Sequence, residues 1–332
     1  MIGGEFEIDL SLLRNGFEES PDTYYYASGR TALYQIIKSL DCARRKVWMP
    51  DWLCHTMVDA VERAGFECVY YELDNQFKAT VEALDRSGFQ DGDTVLMVNY
   101  FGLQKLNETA KSIKEAYPHA IVIEDDVQAY WELAERENPY ADYRFTSLRK
   151  ALPIPDGGLV YTKRPMPKAT EKNTFAPLKF QAGVMKQNRG KKGISDDDYL
   201  KLFKQGDALI PENYESVMSD ESKRLYAGTD FHKAKQQRQA NAKHLLKGLA
   251  AIGIKPMIDV PADSVPLFVP IWLANRDEVR RRLFQHEIFC PVHWPLEGMA
   301  VQKGKEMAEH ELSLIVDQRY GLKDMDLLLS FL

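Results

Sequence analysis

The sequence lacks what would place it in a membrane or in the secretory path. No uncharged apolar run approaches the length needed to span a bilayer. Met1-Ile2-Gly3-Gly4-Glu5-Phe6 has neither the basic start nor the apolar core of a secretory signal, so a cytoplasmic protein is expected. Cysteine is scarce: Cys42, Cys54, Cys68 and Cys290 show no paired spacing. That excludes a disulfide framework and points to reduced thiols; no metal site is expected. Positive charge is not in excess, with 43 Lys and Arg against 49 Asp and Glu and a net charge of −6. No general field draws nucleic acid, and the basic clusters Arg44-Arg45-Lys46, Lys191-Lys192 and Arg280-Arg281-Arg282 are short and separated. Internal repeats and low-complexity tracts are absent. Two short matches are coincidental. Gly3-Gly4-Glu5-Phe6 spells part of a cyclic-dinucleotide synthase signature at the wrong place in a domain, and Asn107-Glu108-Thr109 is a sequon without a secretion signal.

What is present is a chain of 332 residues, 45% hydrophobic and 28% charged, which is ordinary globular composition and long enough for two domains. Apolar runs alternate with helical stripes. Val47–Met49, Cys68–Leu73, Val95–Asn99 and Ile121–Glu124 read as strands; Met57 to Ala64, closed by Gly65, and Leu106 to Tyr117, ended by Pro118, read as helices. Such repetition predicts an α/β fold with a mostly parallel sheet, whose ligands gather at the carboxyl ends of its strands. Residues 162–228 turn polar and Lys-rich, a segment expected to bridge two domains. Phe231 to Ile252 is one long charge-rich helix. The remainder is a smaller α/β unit with strands at 267–273, near Phe289 and at 312–316, a helix at 277–284 and a last helix from Lys323. The expected division is therefore 1–228, a large domain with an N-terminal arm, and 229–332, a small C-terminal domain.

Three local features carry chemistry. Asp125 ends the buried run Ile121-Val122-Ile123-Glu124. Lys150 follows Phe145-Thr146-Ser147-Leu148-Arg149 and precedes Gly157-Gly158. A lysine amine can form a Schiff base with an aldehyde cofactor, and an acid can keep a pyridine nitrogen protonated, the division of labour of a pyridoxal phosphate (PLP) enzyme. Taken alone, the pair is also what a solvated surface lysine and a strand-end acid look like. The third feature is Ser28-Gly29-Arg30-Thr31, which leads into Leu33, Ile36, Ile37 and Leu40 at helical spacing. A helix N-terminus with free N–H groups and hydroxyls suits a phosphate, although an ordinary Ser/Thr cap has the same composition.

Together, Ser28-Gly29-Arg30-Thr31-Ala32-Leu33, Glu124-Asp125-Asp126-Val127-Gln128-Ala129, Ser147-Leu148-Arg149-Lys150 and Pro155-Asp156-Gly157-Gly158 resemble the motifs of the DegT/DnrJ/StrS sugar aminotransferases. Trp48-Met49-Pro50-Asp51-Trp52, Asn99-Tyr100-Phe101-Gly102, Cys290-Pro291-Val292-His293-Trp294-Pro295 and Val316-Asp317-Gln318-Arg319-Tyr320 extend the resemblance over nearly the whole chain. It implies the fold-type I aminotransferase architecture and a homodimer with interfacial active sites. It also implies amino transfer from a donor such as glutamate to a keto-sugar nucleotide or related carbonyl acceptor. By the same resemblance Lys150 is the Schiff-base lysine, Asp125 pairs with the pyridinium nitrogen, Gln128 lies near the ring, and Gly29, Arg30, Thr31 and Ser147 hold the phosphate. The chain departs from the family at position 145, Phe where serine is commoner, and at Pro155-Asp156, where Gly-Glu is commoner. Strict register puts Cys54 against the cofactor ring, whereas Trp52 is preferred on physical grounds because an indole covers a pyridine face; a core tryptophan is the bland alternative.

Tyr100, His293 and Arg319 are substrate-binding candidates. Each has a structural alternative: strand-end packing for Tyr100, a turn histidine between prolines for His293, and a local salt bridge to Asp317 or Asp326 for Arg319. Three functions compete at this level. They are a PLP aminotransferase, a PLP lyase or acyl-condensing enzyme on the same fold, and a silent binding protein that keeps the fold.

Overall fold

Seven short strands, each feeding a helix or a turn, join in one sheet. The computed structural model describes residues 1–191, 193–294 and 302–332, and the side chains of residues 302 and 303 are outside the description. Lys192 and Pro295, each the end of a motif named above, therefore lie outside the described residues. The strands are β1 (Thr23–Tyr26), β2 (Lys46–Pro50), β3 (Glu67–Tyr71), β4 (Thr94–Val98), β5 (Ile121–Asp125), β6 (Tyr143–Ser147) and β7 (Gly158–Tyr161). Their spatial order is β1-β7-β6-β5-β4-β2-β3. The pairs β3–β2, β2–β4, β4–β5 and β5–β6 are parallel. Every residue of β4 is buried, as expected where helices cover both faces of a parallel sheet.

The last two pairings, β6–β7 and β7–β1, run antiparallel. The reason is length. Only residues 148–157 connect β6 to β7, one helical turn (Leu148–Ala151) and a Pro-rich bend, too short for the crossover that parallel pairing requires. Lys150 thus sits in a tight connection tied to the sheet at both ends, with Leu148 N donating to Gly157 O at 2.9 Å.

Alternation along β5 sorts three consecutive acids. Glu124 and Asp126 engage the buried Arg144, whose guanidinium is 2.8 Å from Asp126 and 3.4 Å from Glu124. Asn138 Nδ2 also donates to Glu124 at 2.6 Å, and Asn99 Nδ2 to Asp126 at 3.2 Å. Asp125, between them, lines a cavity. The registers Val98↔Asp125 and Asp125↔Phe145 set the carboxyl ends of β4, β5 and β6 side by side.

C-terminal to the sheet, β8 (Phe268–Trp272) and β9 (Glu311–Ile315) pair antiparallel. Helices Phe231–Ala251, Arg276–Gln285 and Leu322–Leu329 contribute Leu245, Leu249, Val279, Leu283, Met325 and Leu328 to a common apolar cluster with them. Ile2 belongs to this cluster as well, and residues Ile2–Gly3 pair in parallel with Ile288–Phe289. The chain's first residues are therefore fastened to its last hundred. Within residues 162–228, helices Ala176–Gln187 and Asp196–Leu209 pack on each other, so the polar segment is largely helical.

Candidate active site

The helix α1 (Gly29–Ser39) starts where the sequence places a phosphate turn. Ser28 is extended and caps it, accepting from Thr31 N at 3.1 Å. Thr31 is fully buried; its hydroxyl donates to Asn213 O at 2.8 Å and lies 2.9 Å from Ser28 Oγ. It therefore braces the turn rather than lining the cavity, unlike Gly29, Arg30 and Ser147, which line it. Two glycines permit the close fit. A Cβ on Gly29 would stand 3.0 Å from Ser147 Cβ, and one on Gly158 only 2.1 Å from Ser28 O. In the Gly-Gly pair after Lys150, Gly158 thus allows the backbone approach and Gly157 allows the positive φ of +122° that precedes it. Ser147 caps the turn Leu148–Ala151 without using its side chain, and Arg30 Nε is buried without a hydrogen-bond partner among the described residues. Both donors stand ready for an anion at a helix N-terminus.

Asp156 shows why Pro-Asp replaces Gly-Glu here. Its buried carboxylate accepts from Asn173 Nδ2 at 2.7 Å, Ser219 N at 2.8 Å, Ser219 Oγ at 2.5 Å and from Ser222 Oγ. It pins Ser219 and Ser222, at the start of the helix Asp220–Ala227, and Asn173. Burial raises its carboxyl to about 6 despite those donors. Asp156→Ala removes the acceptor of all four donors and is expected to lower unfolding free energy by roughly 3 kcal/mol, read by urea denaturation.

The cavity, of about 260 Å³, is lined by Asp125, Gln128, Lys150 and His293 as well as the turn residues. Asp125 accepts one hydrogen bond, from Val127 N at 2.7 Å. Burial, and then the charge of Glu124, push its carboxyl up to about 7 against that bond. A cation beside it would reverse the shift. Gln128 Oε1 accepts from Phe101 N at 2.8 Å, which fixes the carboxamide and leaves its NH2 as the donor available to the cavity. Lys150 has no hydrogen-bond or ion-pair partner among the described residues. It borders two cavities, and partial desolvation acts on it although much of its surface is exposed. That desolvation, and next the Arg149 guanidinium, lower its basicity.

Trp52 is the main correction. It is fully buried, stacked on Tyr100 at 5.1 Å with an interplanar angle of 9°, and its Nε1 donates to His293 O at 3.2 Å. Phe77, Phe101 and Trp294 complete this aromatic cluster. Held there, the indole is core and cannot cover a ring in the cavity; Cys54, the strict-register residue, lines the wall instead. Tyr100 is likewise buried, its hydroxyl donating to Trp52 O, and does not reach the cavity. His293 does. Its Nδ1 is 2.8 Å from Ser313 Oγ, which donates to the buried Glu311 at 2.5 Å, a chain that orients the ring.

Arg319 faces a neighbouring cavity of about 330 Å³, which Lys150 and Arg149 also line. It forms the local pair anticipated as its alternative, with Asp317 at 2.8 Å, and binds Glu7 at 3.3 Å. Sequence reading missed Arg149, which lines both cavities next to Lys150. It also missed the buried Arg238, which donates to Ala151 O at 3.2 Å, where Gln318 Nε2 donates at 2.9 Å. Adjacency to the lysine was the available signal for Arg149; Arg238 gives none.

No protein-family model and no curated protein matches the chain. Solved structures do. A DegT DnrJ EryC1 StrS aminotransferase from Brucella abortus is 16% identical, with a TM-score of 0.63 over 93% of this chain and 84% of that one. The chain has an aminotransferase fold. The sugar aminotransferase CalS13 from Micromonospora echinospora is 14% identical, with a TM-score of 0.63 over 94% and 86% of the two chains. NtdA from Bacillus subtilis, solved with bound cofactor PMP, is 15% identical, with a TM-score of 0.61 over 93% and 72%. The fold-type I architecture expected from the sequence is the one observed. In this aminotransferase fold, the carboxyl ends of β5 and β6 and the start of α1 meet at one cavity. No helix among the described residues is long and apolar enough to cross a membrane.

Proposed function

We propose that the protein is a PLP-dependent aminotransferase that moves an amino group from an amino-acid donor, glutamate by resemblance, to a keto-sugar nucleotide or related carbonyl acceptor. One observation carries the reading: Lys150 and Asp125 line the same cavity, with the N-terminus of α1 in its wall. The residues fit the cofactor. An orphaned Arg30 Nε, the Ser147 hydroxyl and the α1 N–H groups make an anion cradle, closed by the tight approach of Gly29 to Ser147. Asp125 suits the ring nitrogen, Gln128 a phenolic oxygen, and the low-basicity amine of Lys150 covalent attachment.

Bound there, PLP supplies an electron sink for an amino acid that loses its α-proton. The chain supplies the rest. Lys150 Nζ, its basicity lowered by burial and by Arg149, takes and returns that proton as general base and acid. Asp125 presents a carboxylate to a developing cation in a desolvated setting, where the attraction is strong. Wall residues such as Leu53, Met57 and Phe268 exclude water.

The sugar acceptor and the homodimer remain part of this proposal, supported by the sequence resemblance and by the sugar aminotransferase of like fold. The test is direct. Borohydride treatment of protein mixed with PLP is expected to label Lys150 in a peptide map, and glutamate is expected to yield one equivalent of pyridoxamine phosphate per site. Labelling elsewhere, or protein that takes up no PLP, overturns the proposal. Gly29→Ala, which sets a methyl 3.0 Å from Ser147 Cβ, is expected to weaken PLP binding roughly tenfold, read by equilibrium titration.

A further inference from the structure

Residues 3–6 line the second cavity as a strap, and main-chain bonds of residues 4–8 hold it there independently of Glu5's side chain. Lys186 Nζ donates to Glu5 O at 2.5 Å, Arg319 reaches Glu5 O and Gly4 O at 3.1 Å each, and Ile8 N donates to Gly183 O at 3.0 Å. The side chain of Glu5 turns inward toward three cations. Its Oε1 is 3.4 Å from Lys179 Nζ and 3.7 Å from Arg149, and Lys150 lies on the same cavity wall.

We propose that Arg149 and Lys179 form a carboxylate subsite beside Lys150, that it receives a carboxylate of a dicarboxylic amino donor or of its 2-oxo acid product, and that Glu5 is the internal carboxylate such a ligand replaces. The inference rests on the aminotransferase reading and assigns residues to one carboxylate of its donor. Four observations support it. Lys179 is 2% exposed, and Gly206 makes room for it, since a Cβ there would stand 2.8 Å from Lys179 Cγ. Asp207 at 2.8 Å takes one of the three donors of this buried ammonium, and Glu5 sits against another. The Glu5 contacts, at 3.4 and 3.7 Å, are looser than charge-assisted bonds of about 2.8 Å, so the seat is imperfectly filled. Arg149 Nε is buried with no hydrogen-bond partner among the described residues, so the guanidinium has a donor to spare. Finally, Glu5 keeps 37% of its side-chain surface exposed beside a cavity of about 330 Å³, which gives it room to swing aside. The surrounding cations hold the Glu5 carboxyl below its usual range although burial opposes them, so it is a charged occupant.

An internal carboxylate competes with any external one. Removing its charge without changing its shape is expected to tighten binding of a non-reacting dicarboxylate. Glutarate binding by calorimetry to the full chain is the readout, for the natural protein, Glu5→Gln, Glu5→Ser, and Glu5→Gln combined with Arg149→Met. Each Glu5 variant is expected to bind roughly tenfold or more tightly than the natural protein, and adding Arg149→Met to reverse the gain. Equal or weaker binding by a folded Glu5 variant overturns the proposal, as does a double variant that binds as tightly as Glu5→Gln. Using both Gln and Ser guards against loss of one variant to misfolding. Borohydride labelling of Lys150 with PLP, done on the same samples, reports the cofactor reading separately, because glutarate binding needs no reaction.

Discussion

Lys150→Ala is expected to abolish borohydride labelling with PLP and to slow conversion of glutamate at least about 10³-fold, with the protein still folded. The size follows from two losses at one atom, the covalent anchor and the proton carrier, each of which contributes orders of magnitude in enzymes of this kind. Folding is expected to survive because Lys150 has no ion-pair or hydrogen-bond partner among the described residues to leave behind. Its connection is held by backbone bonds, Leu148 N to Gly157 O and Leu152 N to Leu148 O, which alanine keeps. Lys150→Arg separates the two roles of size and charge. A guanidinium stays charged in the cavity and is no base at neutral pH, so it is expected to be as inactive as alanine. Single-turnover absorbance with glutamate measures both. Residual labelling of the alanine variant on another lysine would show that the wrong amine has been chosen.

Asp125→Asn is expected to act in opposite directions on catalysis and on stability. Loss of the carboxylate removes the charge that would stabilise a cation, and turnover is expected to fall roughly 10³-fold. Stability of the cofactor-free protein is a matter of proton linkage. Asp125 has an ordinary value of 3.8 and is pushed up to about 7 by burial in the folded state. Between those values the folded chain holds a proton that the unfolded chain has released, so unfolding free energy falls as pH rises. The contribution is intact below about 3.8 and fully lost above about 7, a difference of about 4 kcal/mol at most. Asparagine cannot ionise. The cofactor-free variant is therefore expected to match the natural protein at pH 4 and exceed its stability at pH 8, read by urea denaturation at both. With PLP bound the order at pH 8 is expected to invert, because the ring nitrogen rewards the charge. A gap that does not change with pH would remove burial of this acid as the cause.

Much of the candidate cavity's wall was legible because its parts are local. The Ser28–Thr31 turn, the acid closing β5 and the lysine after β6 each announce themselves within a few residues. The parallel register of β4, β5 and β6 then brings them together without further specification. What failed to show depends on where a side chain points after a strand ends. Trp52 and Cys54 are two residues apart in an irregular turn, and only the packing of Tyr100, Phe77 and Trp294 decides that the indole goes inward. Thr31 looked like a ligand for phosphate until Asn213 supplied a closer acceptor for its hydroxyl. The antiparallel return of β7 was open to inference from the shortness of residues 148–157, since no crossover fits there. Glu5 and Lys179 meet from positions 174 residues apart, and nothing in the motif that contains Glu5 points to a lysine that distant.

The carbonyl of Ala151 has a mechanical meaning. Arg238, from the long helix Phe231–Ala251, and Gln318, from the segment after β9, both donate to that single oxygen, one residue past Lys150. Arg238 in turn spans to Gln318 at 2.7 Å and to the carbonyls of Pro266 and Leu267. Any rocking of the C-terminal third against the sheet would therefore tug first on the peptide next to Lys150. The hub is a rivet beside Lys150, so any shift of the C-terminal third would be felt at that lysine's own backbone.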